Sequence, residues 1–389
     1  MIPWRNERHM RLIHTSDWHF GKRFNEFDML PLQAVFCDWF VDLVKQEEID
    51  CVLLAGDVYD RANPKDDAVD LLDDVLHRIS SSGASIVMIS GNHDSADRLH
   101  FGTRFMSSGG LHVRTERREI DAIAAPVTVR GRKGDEVEIL PLPYLDPERV
   151  ITAPQLTRSH ESVLKTVIDR QVARLKDPAR TIAMAHAFVT GGAPSDSERN
   201  LTVGGTGSVS LDLFRDFGYV ALGHLHKPQV MGDGRAIYSG TPMPYSFSEQ
   251  HGKFVRLISV DKGGISSTTV ASDACRQVAT IEGTLNELTS SKFANHKTSF
   301  VRARITDQNF QIGAMERLRE SFPYILELEQ QSLSTQGKLE IERLQQLAKR
   351  SEEDVVNEYV KETWPHGMDE FESNFVRSGI RQGLKVSAE

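Results

Sequence analysis

The stretch RLIHTSDWHF, Arg11–Phe20, opens as an apolar run and ends in Asp17 and His19, with one tryptophan between them. A lone Asp-x-His at the end of a run is usually a turn or a cap. The reading changes because the rest of the chain repeats the pattern. CVLLAGD (Cys51–Asp57) leads into Asp57 and Asp60, and SIVMISGN (Ser85–Asn92) into Asn92, His93 and Asp94. TIAMAHA (Thr181–Ala187) carries His186, and YVALGH (Tyr219–His224) leads into His224 and His226. Short apolar runs with no polar face read as strands buried on both sides.

Between these runs, LPLQAVFCDWFVDLVKQ (Leu30–Gln46) and AVDLLDDVLHRISSS (Ala68–Ser82) carry apolar residues at helical spacing. FVRLISVD (Phe254–Asp261) adds a late strand. The alternation predicts a large layered α/β domain over residues 10–271. Near Ser272 the pattern restarts. QVATIEG, LNELTSSK, SFVRARITD, GAMERLRESFP and YILELEQQ read as β-α-β-α-β, a small α/β domain over 272–334. Residues 335–389 read as a polar linker followed by charged helices. Val355, Val356, Tyr359 and Val360, then Phe371, Phe375, Val376 and Ile380, give those helices an apolar stripe, which suits packing on their own domain or docking a partner's helices.

Composition sets outer bounds. A chain of 389 residues can hold two or three domains, and 26% charged residues is ordinary for a globular protein. No apolar run approaches the roughly 18 residues that cross a bilayer. The start, MIPWRNERHM, lacks the apolar region of a secretory signal, and residues 1–9 read as a ragged extension. Three scattered cysteines, Cys37, Cys51 and Cys275, argue against a disulfide framework or thiolate zinc site and suit a reducing cytoplasm. The net charge of −9 argues against a simple basic nucleic-acid binder. It leaves room for a cleft whose sign is reversed by bound cations.

In open α/β sheets, ligands collect beyond the carboxyl ends of strands. Such a crevice would gather carboxylate, imidazole and amide donors with no thiolate, a set suited to Mn²⁺, Fe²⁺ or Zn²⁺. The donors exceed the needs of one ion, and a bridging carboxylate would organise a pair about 3.5–4 Å apart for in-line phosphoryl displacement. Gly56, Gly91 and Gly223 stand where three of the runs turn and permit close approach there. The other histidines have no partner pattern, and His14, inside the first run, reads as structural.

The order D-x-H, G-D-x-x-D, G-N-H-D, H, G-H-x-H resembles that of the calcineurin-like metallophosphoesterases. Within them, MRLIHTSDWHFGK, AGDVYDRANP, SGNHDSADRL, YVALGHLHKPQ and YSGTPMPYSFSE resemble the SbcD family, nuclease subunits of bacterial DNA repair complexes. The likeness spans Met10 to about Val260; the small domain resembles the family's capping domain in element order only. The protein phosphatase branch differs, since it has Gly where Ala62 follows Arg61. The resemblance implies a layered metallophosphoesterase sheet domain, a small α/β capping domain and C-terminal helices. It implies that Asp17, His19 and His226 hold one metal, that Asn92, His186 and His224 hold the other, and that Asp57 bridges both. It makes His93 a catalytic residue over the scissile phosphate, oriented by Asp94. It further implies two Mn²⁺ ions, DNA as substrate (double-stranded ends, single strands and hairpins), a coiled-coil SbcC-type ATPase partner, a homodimer within a heterotetramer, and a cytoplasmic, nucleoid-associated protein with no membrane contact. Lys22, Arg23, Arg98 and Arg104 are candidates for extending a positive surface, or for solvated faces. The competing readings are a small-molecule phosphodiesterase of the same superfamily and a non-catalytic scaffold.

Overall fold

The computed structural model describes residues 9–117, 123–150, 159–198 and 207–330. The C-terminal helices expected over 335–389 lie outside the described residues. Contact density divides the chain into two units. Among the described residues, one holds those up to 280 with 294–302 and 321–327, and the other holds 281–293, 303–320 and 328–330.

The five ligand-bearing runs all form strands. They are β1 (Met10–Thr15), β2 (Cys51–Ala55), β3 (Ser85–Ile89), β7 (Ile182–His186) and β8 (Tyr219–Gly223). Leu111–Arg114 is β4, Val127–Arg130 β5 and Glu136–Leu142 β6. Gln229–Met231 is β9, Ala236–Tyr238 β10, Phe254–Asp261 β11 and Gly264–Ala271 β12. These strands build two six-stranded sheets, ordered β12-β11-β1-β2-β3-β4 and β9-β10-β8-β7-β6-β5. The central pairs β1–β2, β2–β3 and β7–β8 are parallel, so their carboxyl ends point the same way within each sheet. The ligand-bearing ends therefore come from two facing sheets, three from one and two from the other.

Side-chain alternation shows how the layers form. From β2, Cys51, Leu53 and Ala55 join an apolar cluster with Val129, Ile139, Ile182 and Ala221, filling the space between the sheets. Val52 and Leu54 point the opposite way, into a cluster with Phe36, Phe40 and Leu72. Those partners belong to α1 (Leu30–Gln46) and α2 (Asp66–Ser81), which cover the first sheet. Pro31 in the first turn of α1 suits the helix start, and Phe36, Phe40 and Val44 recur on its buried face. The second sheet is covered by α3 (His160–Val172) through Val163, Leu164, Val167 and Ile168. The result is a four-layer α/β/β/α unit.

A polar contact crosses between the sheets. His14 on β1 places Nδ1 3.2 Å from the Tyr219 hydroxyl and Nε2 3.1 Å from the Leu222 carbonyl. Burial pushes its pKa down to about 3, so the imidazole is neutral and tethers one sheet to the other. This is the structural role the sequence suggests.

The small β-α-β-α-β pattern appears as β13 (Val278–Gly283), a one-turn helix at Leu285–Leu288, β14 (Phe300–Ile305), α4 (Ala314–Ser321) and β15 (Ile325–Gln330). Its strands form a three-stranded sheet in the order β13-β14-β15. Among the described residues, no helix is long and apolar enough to cross a membrane.

Candidate metal centre

The loops after the strands are held in unusual backbone conformations. Asp17, His19, Asp57 and His224 have φ of 54°, 47°, 50° and 104°, and they make up most of the non-glycine residues with positive φ among those described. Such conformations cost roughly 1–3 kcal/mol each and persist only where surroundings enforce them. Here, the Asp17 and His19 N–H groups donate to the carbonyls of Gly56 and Asp57, both at 3.0 Å, fastening the loop after β1 to the loop after β2. Gln33, buried on the apolar face of α1, donates its amide to the His19 carbonyl at 2.8 Å and the Trp18 carbonyl at 3.1 Å. The Tyr245 hydroxyl donates to the same Trp18 carbonyl. Trp18 itself anchors the loop by packing on Phe20, Phe36 and Phe40.

These constraints bring all the expected metal ligands together. Asp17, His19 and His226 place ligand atoms within 4.8 Å of one another, as do Asp17, Asp57 and His186, and also His19, Asp57 and His93. Asn92 Oδ1 lies 2.9 Å from His186 Nε2 and 3.0 Å from His224 Nδ1. Asp57 stands between the groups, with Oδ2 3.7 Å from His19 Nε2 and 3.5 Å from His186 Nε2. Asp17, Asp57, His19, His186, His224 and His226 are all buried.

The donor chemistry tests whether cations fit. His186 Nδ1 is 2.9 Å from the Ala55 carbonyl and must donate to it, leaving the Nε2 lone pair facing Asn92 Oδ1 and Asp57. Ser197 donates its hydroxyl proton to Glu249 at 2.6 Å, so His226 Nδ1, 2.6 Å from the same Oγ, is the donor there. That leaves the His226 Nε2 lone pair 3.1 Å from His19 Nε2. Lone pairs of buried ligands thus face one another at the separations expected of neighbouring donors on a metal, about 3 Å for bonds of about 2.1 Å. The charges agree. Burial and the Asp57 charge push the Asp17 pKa up to about 7. Burial opposes charge on His186, yet Asp57 and Asp17 raise it to about 9. Both shifts put protons in the site, one of them on His186 Nε2, and a divalent ion would supply the positive charge in their place. The residues present therefore fit a metal centre, and one or two divalent ions there would neutralise a substrate phosphate and activate a water for attack.

His93 and Asp94 adjoin these groups, with His93 buried beside Asp57. The His93 N–H donates to Asp57 Oδ1 at 2.9 Å, and its Nδ1 donates to the Asp60 carbonyl at 2.8 Å, which turns Nε2 toward Asp57 Oδ2 at 4.0 Å. Asp94 holds the backbone around His93. Its carboxylate accepts from the backbone N–H groups of Gly91, Val58 and Tyr59 at 2.8, 3.1 and 3.0 Å. It therefore positions the loops after β2 and β3, and acts on His93 through that backbone. Asp60 uses its side chain to pair with Lys22 at 2.7 Å. Arg23 pairs with the exposed Glu26.

Several supporting residues escape sequence reasoning: Gln33, Tyr245, Ser197, Glu198 and Glu249. Only Gln33 carries a signal, a polar residue where helical periodicity calls for an apolar one.

The glycines show how close the backbones come. A Cβ on Gly223 would stand 1.9 Å from the Ala55 carbonyl oxygen of the facing sheet, and one on Gly91 2.1 Å from Asp57 Oδ1. Gly91→Ala must displace Asp57, because the obstruction includes the Asp57 backbone nitrogen at 2.3 Å. We expect a destabilisation of about 1–3 kcal/mol, read as a lower melting temperature, together with weaker metal binding. An unchanged melt and metal content would contradict the close packing.

A family model for calcineurin-like phosphoesterases matches residues 10–228, more than half of the sequence. The chain belongs to the calcineurin-like phosphoesterases. It is thus a metal-dependent phosphoester hydrolase by family, and its mixed α/β architecture is that of the family. A second model, SbcD_C, described as the type 5 capsule protein repressor C-terminal domain, matches residues 275–363. Among solved structures, a dimetal phosphatase from Danio rerio is 13% identical with a TM-score of 0.39, over 67% of this chain and 98% of that one. TT1561 of Thermus thermophilus is 11% identical with a TM-score of 0.38, over 67% and 99%. GAP50 of Plasmodium, titled the anchor in the inner membrane complex, is 11% identical with a TM-score of 0.39, over 85% and 98%.

Proposed function

We propose that this phosphoesterase is a two-metal DNA nuclease of the SbcD type, acting with a coiled-coil ATPase of the SbcC type in DNA repair and recombination. One observation carries the chemistry: Asp57 stands between two groups of buried nitrogen and oxygen ligands whose lone pairs converge. In this reading Asp17, His19 and His226 hold one ion, Asn92, His186 and His224 the other, and Asp57 both. Mn²⁺ suits the donor set. His93 Nε2 faces the substrate phosphate and stabilises the leaving oxygen by charge or by proton, while its Nδ1–H is fixed on the Asp60 carbonyl. Asp94 holds the loop that carries it. DNA as the substrate, and the ATPase as the partner, are supported by the SbcD_C match over 275–363. The domain limits 10–271, 272–334 and 335–389, and a homodimer within a heterotetramer, complete the proposal.

The test is a side-by-side assay of the full chain with Mn²⁺ on linear duplex, hairpin DNA and a bis-nitrophenyl phosphate. The nuclease reading expects cleavage of both DNA substrates at rates well above the small ester. Rapid turnover of the ester with intact DNA would instead make the protein a small-molecule phosphodiesterase.

A further inference from the structure

Glu249 and Lys253 form a buried ion pair, with residue exposures of 1% and 3%. Removing both charges from water costs several kcal/mol per ion, so such a pair invites a reason. Neither residue lies in a helix or strand. Glu249 gathers donors from several segments. Lys253 Nζ and the Thr241 hydroxyl reach Oε2, and the Tyr245 N–H and the Ser197 hydroxyl reach Oε1. Of these, Ser197 leads toward the metal centre, because its Oγ is also 2.6 Å from His226 Nδ1.

The direction of the chain is fixed by proton count. A serine hydroxyl has one proton. With Lys253 beside it, Glu249 is a carboxylate and can only accept, so Ser197 gives it that proton. Ser197 Oγ must then accept from His226 Nδ1–H, and the Nε2 lone pair is left toward His19 and Asp17. Reversal of the relay would put the proton on Nε2, where no metal could bind. Neighbouring contacts hold the same histidine: Glu198 Oε1 accepts the His226 N–H at 2.7 Å, and the Thr241 N–H donates to the His226 carbonyl at 3.2 Å.

We infer that Ser197 and Glu249 are positioning residues for one of the two metal sites, fixing the His226 tautomer and ring orientation from the side away from the ion. The inference rests on the metal reading above and adds two residues to it. Outer partners of this kind typically set metal affinity by 10–100-fold. The relay touches His226 and not His186 or His224, so its effect is confined to one ion.

The experiment is a calorimetric titration of the metal-stripped full chain with Mn²⁺. The wild type should take two equivalents. In Ser197→Ala, one equivalent should bind about 10–100-fold more weakly while the other is unchanged, and Ser197→Thr, which keeps the hydroxyl, should restore it. Ser197 is only half-buried on a loop, so each variant should fold, and circular dichroism is the check. Glu249→Gln, in the same titration, should weaken the same single equivalent. A wild type that takes fewer than two equivalents would overturn the metal reading and the relay together. Two normal equivalents in Ser197→Ala, or equal weakening of both, would overturn the relay alone.

Discussion

Asp57→Asn should empty both metal positions and abolish turnover while leaving the fold intact. The expectation follows from where the two carboxylate oxygens point. Oδ1 accepts the His93 backbone N–H at 2.9 Å, a bond an asparagine oxygen can keep. Oδ2 faces His19 and His186 at 3.7 and 3.5 Å, one from each ligand group. Although burial opposes its charge, the surrounding imidazoles of His186, His93 and His19 hold the Asp57 pKa well below the usual carboxylate range. Its negative charge is thus part of the site at every working pH. An amide nitrogen at that point offers hydrogens where lone pairs are needed. Losing both ions removes several kcal/mol of transition-state stabilisation, at least about 10³-fold in rate. Metal analysis of the purified variant, with a thermal melt beside it, checks the result. Two equivalents retained with normal activity would rule out Asp57 as the bridge.

Much of this site was legible because buried parallel strands leave a simple trace. Each is covered on both faces, so it reads as an unbroken apolar run, and the first polar residues after it mark its carboxyl end. Asp57, His186 and His224 follow that rule, and Asp17 and Asn92 come within three residues of it. The same covering hides which sheet a strand joins. Nothing in CVLLA or YVALG tells that β2 and β8 belong to different sheets, since both runs are apolar on both faces. The close approach at Gly223, against Ala55 of the facing sheet, is where that division shows. Supporting residues were less legible for a different reason. Ser197, Tyr245 and Glu249 lie in loops, where no periodicity exists for a polar residue to violate. Asp94 was visible as part of GNHD, but its three backbone donors come from the chain path, which local sequence does not specify.

His93→Gln separates chemistry from metal binding. The ring is 5% exposed and packs edge-on against His19, with centroids 4.7 Å apart. It also shares a ligand-like group with His19 and Asp57, so geometry alone allows it to be a ligand. Hydrogen bonding favours the other role. Its Nδ1–H is committed to the Asp60 carbonyl, and Nε2 stands 4.0 Å from Asp57 Oδ2, farther than the corresponding atoms of His19 and His186. The ring therefore stands beside the other ligand groups, with Nδ1 fixed and Nε2 turned toward Asp57, which suits a group that acts on a phosphate held by the ions. Glutamine preserves polarity and approximate length but cannot carry a proton to a leaving oxygen. We expect both ions to stay, DNA binding to persist, and the single-turnover rate to fall by about 10²–10⁴, the contribution of a positioned acid–base group. A lost equivalent of metal in this variant would instead place His93 among the ligands, and the rate loss would then report on an incomplete centre rather than on a missing proton donor.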